Sequence, residues 1–561
     1  MSAINEVDDQ QLLEENQGKE EISSTKLKFL YVGTVGIILL IVVLVAVICV
    51  YLGGDEEDTD KNQNGSFIAI YQTSQEGEEV KLFNEYLVDK IQLMYADNKT
   101  INITNKYKFD QIGEHTVKIH LKKDLESTSE MFKDCSNLVK INLTNLTQIT
   151  QNLINMSGMF RGCSSLIEIN LNSLNTKKVT NMSHLFYDCA LLRTVSLNID
   201  TSNVIDMKYM FSGCDAIESL NLKSFNTKNV KEIKYMFNRC HHLKNIENDK
   251  NFIISGIKDL SGLFSDCFLL EKININFVDT SQTTKMNNMF YNCAKLTSID
   301  LSNFVTSNAV DMSGMFANCF VLTSIDVSKF DTSNVEDMHE MFATCSKIKE
   351  LNLKNFKTSK VKNMDYMFVR QYLESLDVSN FDTSQVTTMK YMFDFSYSLK
   401  ELDLSNFDTS KVTDMSYMFA ASPYLTSINL SSFNTKNVRS FKNMFYGDLS
   451  LSNIDFSSFK TPNLIEMDFM FYGCNSLVSL DLSSFDTSKV KSFIGIFAYC
   501  ENLNYVDISS FSTQSITDES TFIFPGRSAN GTVYYNSKLF NNELLDIIFG
   551  DWDKQMVEDI F

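Results

Sequence analysis

The chain has 561 residues and a formal net charge of −20, with 70 acidic against 50 basic residues. This acidity disfavours nucleic-acid binding, which needs basic side chains to neutralise phosphates. No H-E-x-x-H, G-x-S-x-G, Walker or G-x-G-x-x-G motif occurs, and the six histidines show no ligand spacing. We therefore predict no enzymatic activity, no cofactor and no metal site.

Two segments precede the folded part of the chain. Residues 1–27 are acidic and contain few large apolar groups, which predicts a disordered tail. Residues 29–52 carry no charge over 24 positions, enough at 1.5 Å per residue to cross a bilayer core of about 30 Å. We therefore predict a transmembrane helix at 28–52.

The charges that flank this apolar run predict its orientation. Lys26 and Lys28 precede the run and five acidic residues follow it, so the N-terminus is expected in the cytoplasm and the rest outside the cell. A cleaved signal peptide is the rival interpretation, but the run is long and no A-x-A-like site follows it. Lipid attachment at Cys49 fits less well, because Ile48 replaces the expected small residue.

The next region predicts a linker and a small β module. Residues 53–65 contain three Gly and five acidic residues, as a solvated linker does. Residues 66–126 alternate apolar and polar side chains, notably at 67–71 and 116–121, which predicts short strands. We expect this module to cap the first layer of the repeats that begin near residue 127.

The rest of the chain is built on a repeat marked by one phenylalanine. Ten of its fourteen intervals are 26 residues, and the others are 25, 27 or 28. Such a period predicts a solenoid of about fifteen units at 127–524. The repeated residues are Phe132, Phe160, Phe186, Phe211, Phe237, Phe264, Phe290, Phe316, Phe342, Phe368, Phe393, Phe419, Phe445, Phe471 and Phe497.

The copy at 399–421 shows the predicted unit. Its L-x-x-L-x-L start predicts a short strand with Leu402 facing inward and Asp403 outward. After a turn, Met415, Phe419 and Ser422 occur at intervals of four and three, which predicts a helix. Stacked units of this kind form an α/β solenoid, with a parallel sheet on the concave side and the wider helices outside.

The full motif, L-x-x-L-D-L-S-x-F-D-T-S-x-V-x-x-M-x-x-M-F-x-x-C, resembles the repeat of the BspA-like leucine-rich-repeat surface proteins. The resemblance covers about residues 128–524. It implies an extracellular binding or adhesion protein, and it implies no particular ligand, because the ligands differ within that family.

Eleven cysteines form one column, each three residues after the repeated phenylalanine. If neighbouring helices lie about 8–10 Å apart, these cysteines are too distant for disulfides, so we predict buried free thiols. Disulfides between adjacent units are the alternative. The column lapses at Gln371, Ser396, Ser422 and Asp448, for which the sequence offers no explanation.

A second column of Asp and Asn occupies the outward position of the strands. It predicts a polar ladder on the concave face or, functionally, a ligand-binding strip; calcium is disfavoured because a line of carboxylates supplies too few converging oxygens. The candidate ligand-binding residues are Asp300, Asp326, Asp377, Asp403, Asp455, Asp481 and Asp507.

Nine N-x-[ST] sequons make glycosylation a further prediction. They begin at Asn64, Asn98, Asn102, Asn142, Asn145, Asn155, Asn181, Asn429 and Asn530. Beyond the solenoid, residues 525–561 are rich in apolar side chains at helical spacing, which predicts a helical C-terminal cap or, less simply, a partner-docking helix.

We therefore predict a single-pass cell-membrane protein whose extracellular solenoid binds a protein or glycan ligand through its concave face. A self-associating coat or matrix component is the alternative. An enzyme or a calcium-dependent binder is the third and least favoured function.

Overall fold

The computed structural model of the protein describes residues 65–122, 124–516 and 530–557. The chain divides into two compact units, Met1–Gln63 and Asn64–Phe561, and only the second contains described residues. The tail predicted at 1–27, the membrane helix predicted at 28–52 and nearly all of the linker predicted at 53–65 lie outside them.

The predicted membrane architecture needs correction. Within the described ranges, no helix is long and apolar enough to cross a bilayer. The single-pass topology and the cell-membrane location therefore have no support from the structure.

The described part begins with an antiparallel β module. Its strands are β1 (Ser66–Thr73), β2 (Glu78–Lys81), β3 (Ile91–Ala96), β4 (Lys99–Thr100), β5 (Lys106–Phe109) and β6 (Gly113–Leu121). One sheet has the order β4-β3-β6-β1-β7-β8-β9, in which β7 (Leu138–Asn142), β8 (Glu168–Asn170) and β9 (Thr194–Ser196) belong to the first coils of the repeat. Strand β2 pairs with β5 separately. Short 3-10 helices span Glu85–Lys90 and Thr144–Leu146. Because β1 pairs with both β6 and β7, the module covers the first coil of the repeat.

The coils of the repeat contribute one short strand each where the geometry is regular. These are β7 (Leu138–Asn142), β8 (Glu168–Asn170), β9 (Thr194–Ser196), β10 (Ser219–Asn221), β11 (Asn245–Glu247), β12 (Lys272–Ile273), β13 (Ser298–Ile299), β14 (Glu401–Asp403), β15 (Ser427–Asn429), β16 (Ser479–Asp481) and β17 (Tyr505–Ile508). Their pairing is parallel, and Leu402 lies opposite Ile428, one period later. The predicted strand and its inward Leu402 are therefore correct.

The segment predicted as a helix is a series of turns, so the chain is a β-solenoid of about 15 coils and not an α/β solenoid. Every second amide donates to the next coil: Met415 N–H to the Ser440 carbonyl at 3.1 Å, and Phe419 N–H to the Met444 carbonyl at 3.0 Å. The intervening amides donate within their own coil, as Met418 N–H does to the Met415 carbonyl at 3.2 Å. An α-helix would satisfy all these amides within one coil.

Backbone conformation at two positions enforces these turns. Tyr417 and Ala421 have φ values of 59° and 50°, in the left-handed region that no α-helix uses. The turns still point Met415, Phe419 and Ser422 inward, and all three are buried. A buried pattern at intervals of three and four therefore arises here without a helix.

The core is one continuous stack. The fifteen repeated phenylalanines lie face to face, with neighbouring ring centroids 5.4–6.2 Å apart. A buried threonine ladder runs beside them: Thr409 Oγ1 donates to the Asn434 carbonyl at 3.1 Å and accepts the Asn434 N–H at 2.8 Å.

The concave side of the solenoid was predicted on the assumption that each unit contains a helix wider than its strand, and the units contain turns in place of that helix. We therefore call the side that carries the strands the strand face.

The C-terminal end also differs from the prediction. It contains one short helix, α1 (Asn542–Phe549), between β18 (Thr532–Tyr535) and β19 (Asp553–Met556). Both strands extend the parallel sheet beyond β17. Trp552 packs at the end of this sheet and is buried. The end of the described solenoid is thus closed mainly by strands, and the predicted helical cap is wrong.

Candidate binding face

The predicted ligand-binding residues all lie on the strand face. Side chains of this column alternate with buried leucines along each strand, and Asp403 is exposed between Leu402 and Leu404. Six of the seven candidates are exposed and Asp507 is partly exposed. The structure therefore brings these aspartates into one line, coil after coil.

Each aspartate also has a structural role that the sequence analysis missed. Asp403 Oδ1 accepts the backbone N–H of Ser405 at 3.0 Å, which closes an Asx turn at the end of the strand. The N–H and the hydroxyl of Ser405 lower the pKa of the Asp403 carboxyl. The carboxylate is thereby kept ionised and fixed in orientation.

The same turn recurs at each candidate position. The acceptor is always Oδ1 and the donor is the N–H two residues later, at 2.9–3.1 Å. Hydrogen bonds from the following serine also lower the carboxyl pKa values of Asp300, Asp326, Asp377 and Asp455. The D-x-S signal in the repeat therefore identifies an Asx turn.

Asparagine serves the same turn where it replaces aspartate. Asn429 Oδ1 accepts the Ser431 N–H at 3.2 Å, and its Nδ2 donates to Asp403 Oδ1 in the preceding coil at 3.2 Å. This bridge relieves the repulsion that two neighbouring carboxylates would feel. The polar-ladder role and the binding role are thus compatible in one column.

The charges of the strand face change along the solenoid. In the first coils, lysines and glutamates of adjacent strands pair, as Lys223 does with Glu247 at 2.8 Å and Lys244 with Glu218 at 3.0 Å. From Asp300 onward, none of the seven candidate aspartates forms an ion pair with any described residue. The later coils therefore present unpaired carboxylates.

A shallow groove of about 540 Å³ lies on the strand face near its C-terminal end. Asp455, Asp481 and Tyr505 line it. Two carboxylates beside an aromatic ring suit a lysine or arginine side chain, which gains an ion pair and a cation–π contact there.

A substitution at Asp403 tests the turn role. Asp403→Ala removes the Oδ1 acceptor and should lower the free energy of unfolding by roughly 1–2 kcal/mol. Asp403→Asn should leave it nearly unchanged, because Asn429 closes the same turn one coil later. Urea unfolding followed by circular dichroism measures both variants. Equal losses for Ala and Asn would show that the turn hydrogen bond does not stabilise the coil.

The cysteine column is buried and its eleven thiols are free, as predicted, although the predicted reason is wrong. Coils whose phenylalanine rings lie 5.4 Å apart are not too distant for disulfides. Instead each thiol donates to a carbonyl, typically that of a phenylalanine in the preceding coil, as Cys474 Sγ does to Phe445 at 3.0 Å. Burial raises the pKa of the Cys240 thiol to about 12, which keeps that donor protonated.

This donor role accounts for two of the four positions at which cysteine is replaced. Gln371 Nε2 donates to the Phe342 carbonyl, and Ser422 Oγ donates to the Phe393 carbonyl at 3.2 Å. Ser396 and Asp448 are exceptions. Ser396 Oγ donates to the Phe393 carbonyl of its own coil at 2.7 Å. Asp448 Oδ1 accepts the Ser422 N–H at 2.8 Å, and its buried Oδ2 has no partner among the described residues. Cysteine, glutamine and serine can thus all supply the hydrogen bond to the preceding coil.

The sequons fall partly on the same turns. Asn142, Asn155, Asn181 and Asn429 each accept the N–H two residues later, so their N-x-[ST] signature is also that of an Asx turn. Glycosylation stays a prediction. Asn98, Asn102, Asn145 and Asn530 are exposed, and Asn64 lies outside the described residues.

The β module contains one constellation that imitates a catalytic triad. His115 Nδ1 lies 2.8 Å from Asp97 Oδ2, and its Nε2 lies 3.2 Å from Thr73 Oγ1. The Thr73 hydroxyl donates to the Gln111 carbonyl at 2.9 Å and is buried. We interpret this as a structural hydrogen-bond network that links the strands of the module, since the Thr73 hydroxyl is inaccessible to a substrate. In the described ranges, no group of three or more His, Cys, Asp or Glu side chains is arranged to hold a metal ion.

Comparisons with known proteins identify the repeats. A family model described as "Mycoplasma protein of unknown function, DUF285" matches residues 154–266, 258–373, 337–453, 371–480, 425–536 and 448–560. A model described as "BspA type Leucine rich repeat region (6 copies)" matches residues 81–159, which confirms the resemblance drawn from the motif. No curated protein matches the chain.

Two solved structures show weak likeness. The pneumococcal vaccine antigen PcpA is 14% identical with a TM-score of 0.28, over 71% of this chain and 78% of that one. The Toll–Spatzle complex of Drosophila is 15% identical with a TM-score of 0.20, over 74% of this chain and 52% of that one. Scores this low carry no argument about function.

Proposed function

The chain belongs to the family described as Mycoplasma protein of unknown function, DUF285, and we propose that it acts as a repeat surface protein that recognises a protein partner through the strand face. The observation that carries this proposal is the line of exposed aspartates from Asp300 to Asp507, none of which is ion-paired with a described residue. Their spacing repeats with the coils, so the face offers a regular charge pattern along its length.

Pre-organisation supports binding at this face. Asp377 and Asp403 are each fixed by an Asx turn, so little side-chain freedom remains to be lost when a partner binds. Their lowered pKa values keep them ionised well below neutral pH. These carboxylates are therefore ionised and correctly oriented before any ligand binds.

The chemistry of the face selects the partner. Carboxylates that lack an ion pair favour a protein surface with lysines or arginines at matching intervals, and the groove at Asp455, Asp481 and Tyr505 suits one such side chain as an anchor. A neutral glycan lacks the cations that this pattern would bind.

The test compares two triple variants of the full chain on arrays of purified matrix proteins and of glycans. Asp377→Asn, Asp403→Asn and Asp455→Asn should weaken binding to the selected protein about tenfold or more, because three charge-assisted contacts are lost. The thermal transition should stay unchanged, because Asn retains the turns.

A matched control is available on the next corner of the coil. Asp382, Asp408 and Asp486 also close Asx turns and are exposed or partly exposed, but they lie beyond the strand face. Their replacement by Asn changes the net charge equally and should leave binding intact. Equal loss in both triples, or selective binding to a glycan, would contradict the proposal.

A further inference from the structure

A groove of about 680 Å³ lies on a different side of the coil, between the Asp-Thr-Ser corner and the turns that replace the predicted helix. Its lining includes Lys411, Arg439 and Lys489 and no acidic residue; the other lining residues are Thr387, Thr413, Asn437, Asn463 and Ile465. A basic groove of this kind is unexpected on a chain whose formal net charge is −20.

Within the described part of the chain, none of the three cations of this groove forms an ion pair with an acidic side chain. Lys411 Nζ donates to the Gln385 side-chain oxygen at 2.6 Å, and Lys489 Nζ donates to Asn463 Oδ1 at 2.9 Å, so both contact neutral amides. The guanidinium of Arg439 has no side-chain partner among the described residues. Elsewhere, lysines pair with acids of neighbouring coils, as Lys362 does with Glu336 at 2.6 Å.

The acids that border the groove form no ion pair with its cations. Asp414 pairs with Lys390 at 3.0 Å, and Asp408 accepts the Ser410 N–H at 2.9 Å. Hydrogen bonds from Ser410 and, after them, the charge of Lys411 lower the pKa of the Asp408 carboxyl, although Lys411 forms no ion pair with it. The three cations are therefore available to a partner that carries carboxylates.

The strand face of the same protein has the matching pattern. Lys411 and Lys489 are 78 residues apart, and Asp377 and Asp455 are also 78 residues apart. Each span covers three coils, or about 14 Å at roughly 4.8 Å per coil.

The cation between the two lysines also has a counterpart on the strand face. Arg439 lies in the coil after Lys411, and Asp403 lies in the coil after Asp377. The two lysines occupy one column of the repeat, as Asp377 and Asp455 do, so a parallel neighbour meets these two cations with two carboxylates in register. Arg439 lies two residues beyond that column and supplies the cation between them.

We propose that the basic groove docks the strand face of a second copy of this chain. This inference uses the docking face of the proposed function and adds a partner, namely the protein itself. The two surfaces are different, so the contact is heterologous, and each docked copy leaves one groove and one strand face free. Repetition of such a contact extends side by side instead of closing as a dimer.

Sedimentation velocity of the full chain at low and high salt tests the contact. The wild-type protein should form a concentration-dependent series of oligomers at low ionic strength, and these should dissociate when salt screens the exposed charges. The triple variant Lys411→Gln, Arg439→Gln and Lys489→Gln should associate at least about tenfold more weakly. The control, Lys133→Gln, Lys208→Gln and Lys234→Gln, removes three ion-paired lysines from the turns of the first coils and should associate as the wild type does.

A mixing experiment makes the test specific. The groove variant keeps its strand face, and the variant Asp377→Asn, Asp403→Asn and Asp455→Asn keeps its groove. Each should be monomeric alone, and their mixture should form one-to-one dimers that do not extend. Unchanged association of the groove variant, a monomeric wild type at all salt concentrations, or a mixture that stays monomeric would overturn the inference.

The same variants separate this inference from the proposed function. If the variant Asp377→Asn, Asp403→Asn and Asp455→Asn still binds the array partner but no longer self-associates with the wild type's affinity, the proposed function alone is contradicted. If it loses partner binding but self-associates as the wild type does, this inference alone is contradicted. A groove variant that still binds the array partner but no longer self-associates is the expected result, since only the strand face serves both.

Discussion

Replacing Phe316 by Ala should lower the free energy of unfolding by about 3–5 kcal/mol, the usual cost of truncating a fully buried phenylalanine. Phe316 is buried, and its ring lies 5.8 Å from Phe290 and 6.1 Å from Phe342. The substitution therefore opens a cavity and removes two ring contacts from the stack.

The position of this defect should also change how the protein unfolds. In a repeat array each coil contacts only its neighbours, so a weak interface near the middle reduces the coupling of the two halves. We expect urea unfolding of the variant to broaden or to separate into two transitions.

Phe320 supplies the control for this substitution. It lies four residues after Phe316 and is 40% exposed. Phe320→Ala should cost less than about 1 kcal/mol, because most surface substitutions do. Equal losses for the two variants would show that the phenylalanine stack is not the dominant core.

Raising the pH from 5 to 9 should destabilise the protein through two buried aspartates. Burial raises the pKa of Asp394 to about 8, with Arg370 opposing that shift, and burial also raises the pKa of Asp448 well above its usual range. The titratable groups that interact electrostatically with Asp448 are Asp394 and Cys474, and neither is a cation.

The sign of this effect is set by proton binding. Both carboxyls hold a proton more tightly in the folded chain than in the unfolded one, so their stabilising contribution is complete below about pH 4. It is lost as the pH rises through the folded pKa, which is about 8 for Asp394. For Asp394 this loss of unfolding free energy between pH 5 and 9 is on the order of 3–5 kcal/mol.

Asp448→Cys should reverse part of this loss. Cysteine occupies the equivalent position in the next coil, where Cys474 donates to the Phe445 carbonyl at 3.0 Å. In most coils the side chain at this position donates to the phenylalanine carbonyl of the preceding coil, which for position 448 is the Phe419 carbonyl. No described donor reaches that carbonyl. The variant should be more stable than the wild type at pH 9 and nearly equal to it at pH 5. Denaturant unfolding at both pH values measures this, and an unchanged pH dependence would contradict the role of Asp448.

Much of the architecture is predictable from the sequence because the repeat forces equivalent residues into equivalent places. The period predicted stacked coils, and the L-x-x-L-x-L pattern predicted the strand at Glu401–Asp403 with Asp403 outward. The single phase of the cysteines predicted one buried column. These inferences need only the rule that residues one period apart share an environment.

The predicted helix failed for a physical reason. Burial of Met415, Phe419 and Ser422 at intervals of four and three is produced equally by a helix and by successive three-residue turns. The two differ in where the amides donate, to the same coil or to the next one. A single copy of the repeat does not contain its neighbour, so local periodicity could not decide between them.

The binding face was predicted as a line of aspartates, but its character depends on contacts across coils. Only the tertiary structure shows that Asp403 closes a turn with Ser405 and receives the amide of Asn429. Likewise, Lys411, Arg439 and Lys489 are isolated charges in the sequence and become one groove because the coils stack. The sequence by itself determined the repeat, its buried columns and its outward aspartates. Hydrogen bonding between neighbouring coils decided the fold of each turn and which charges remain free for a partner, because those partners lie a full period away along the chain.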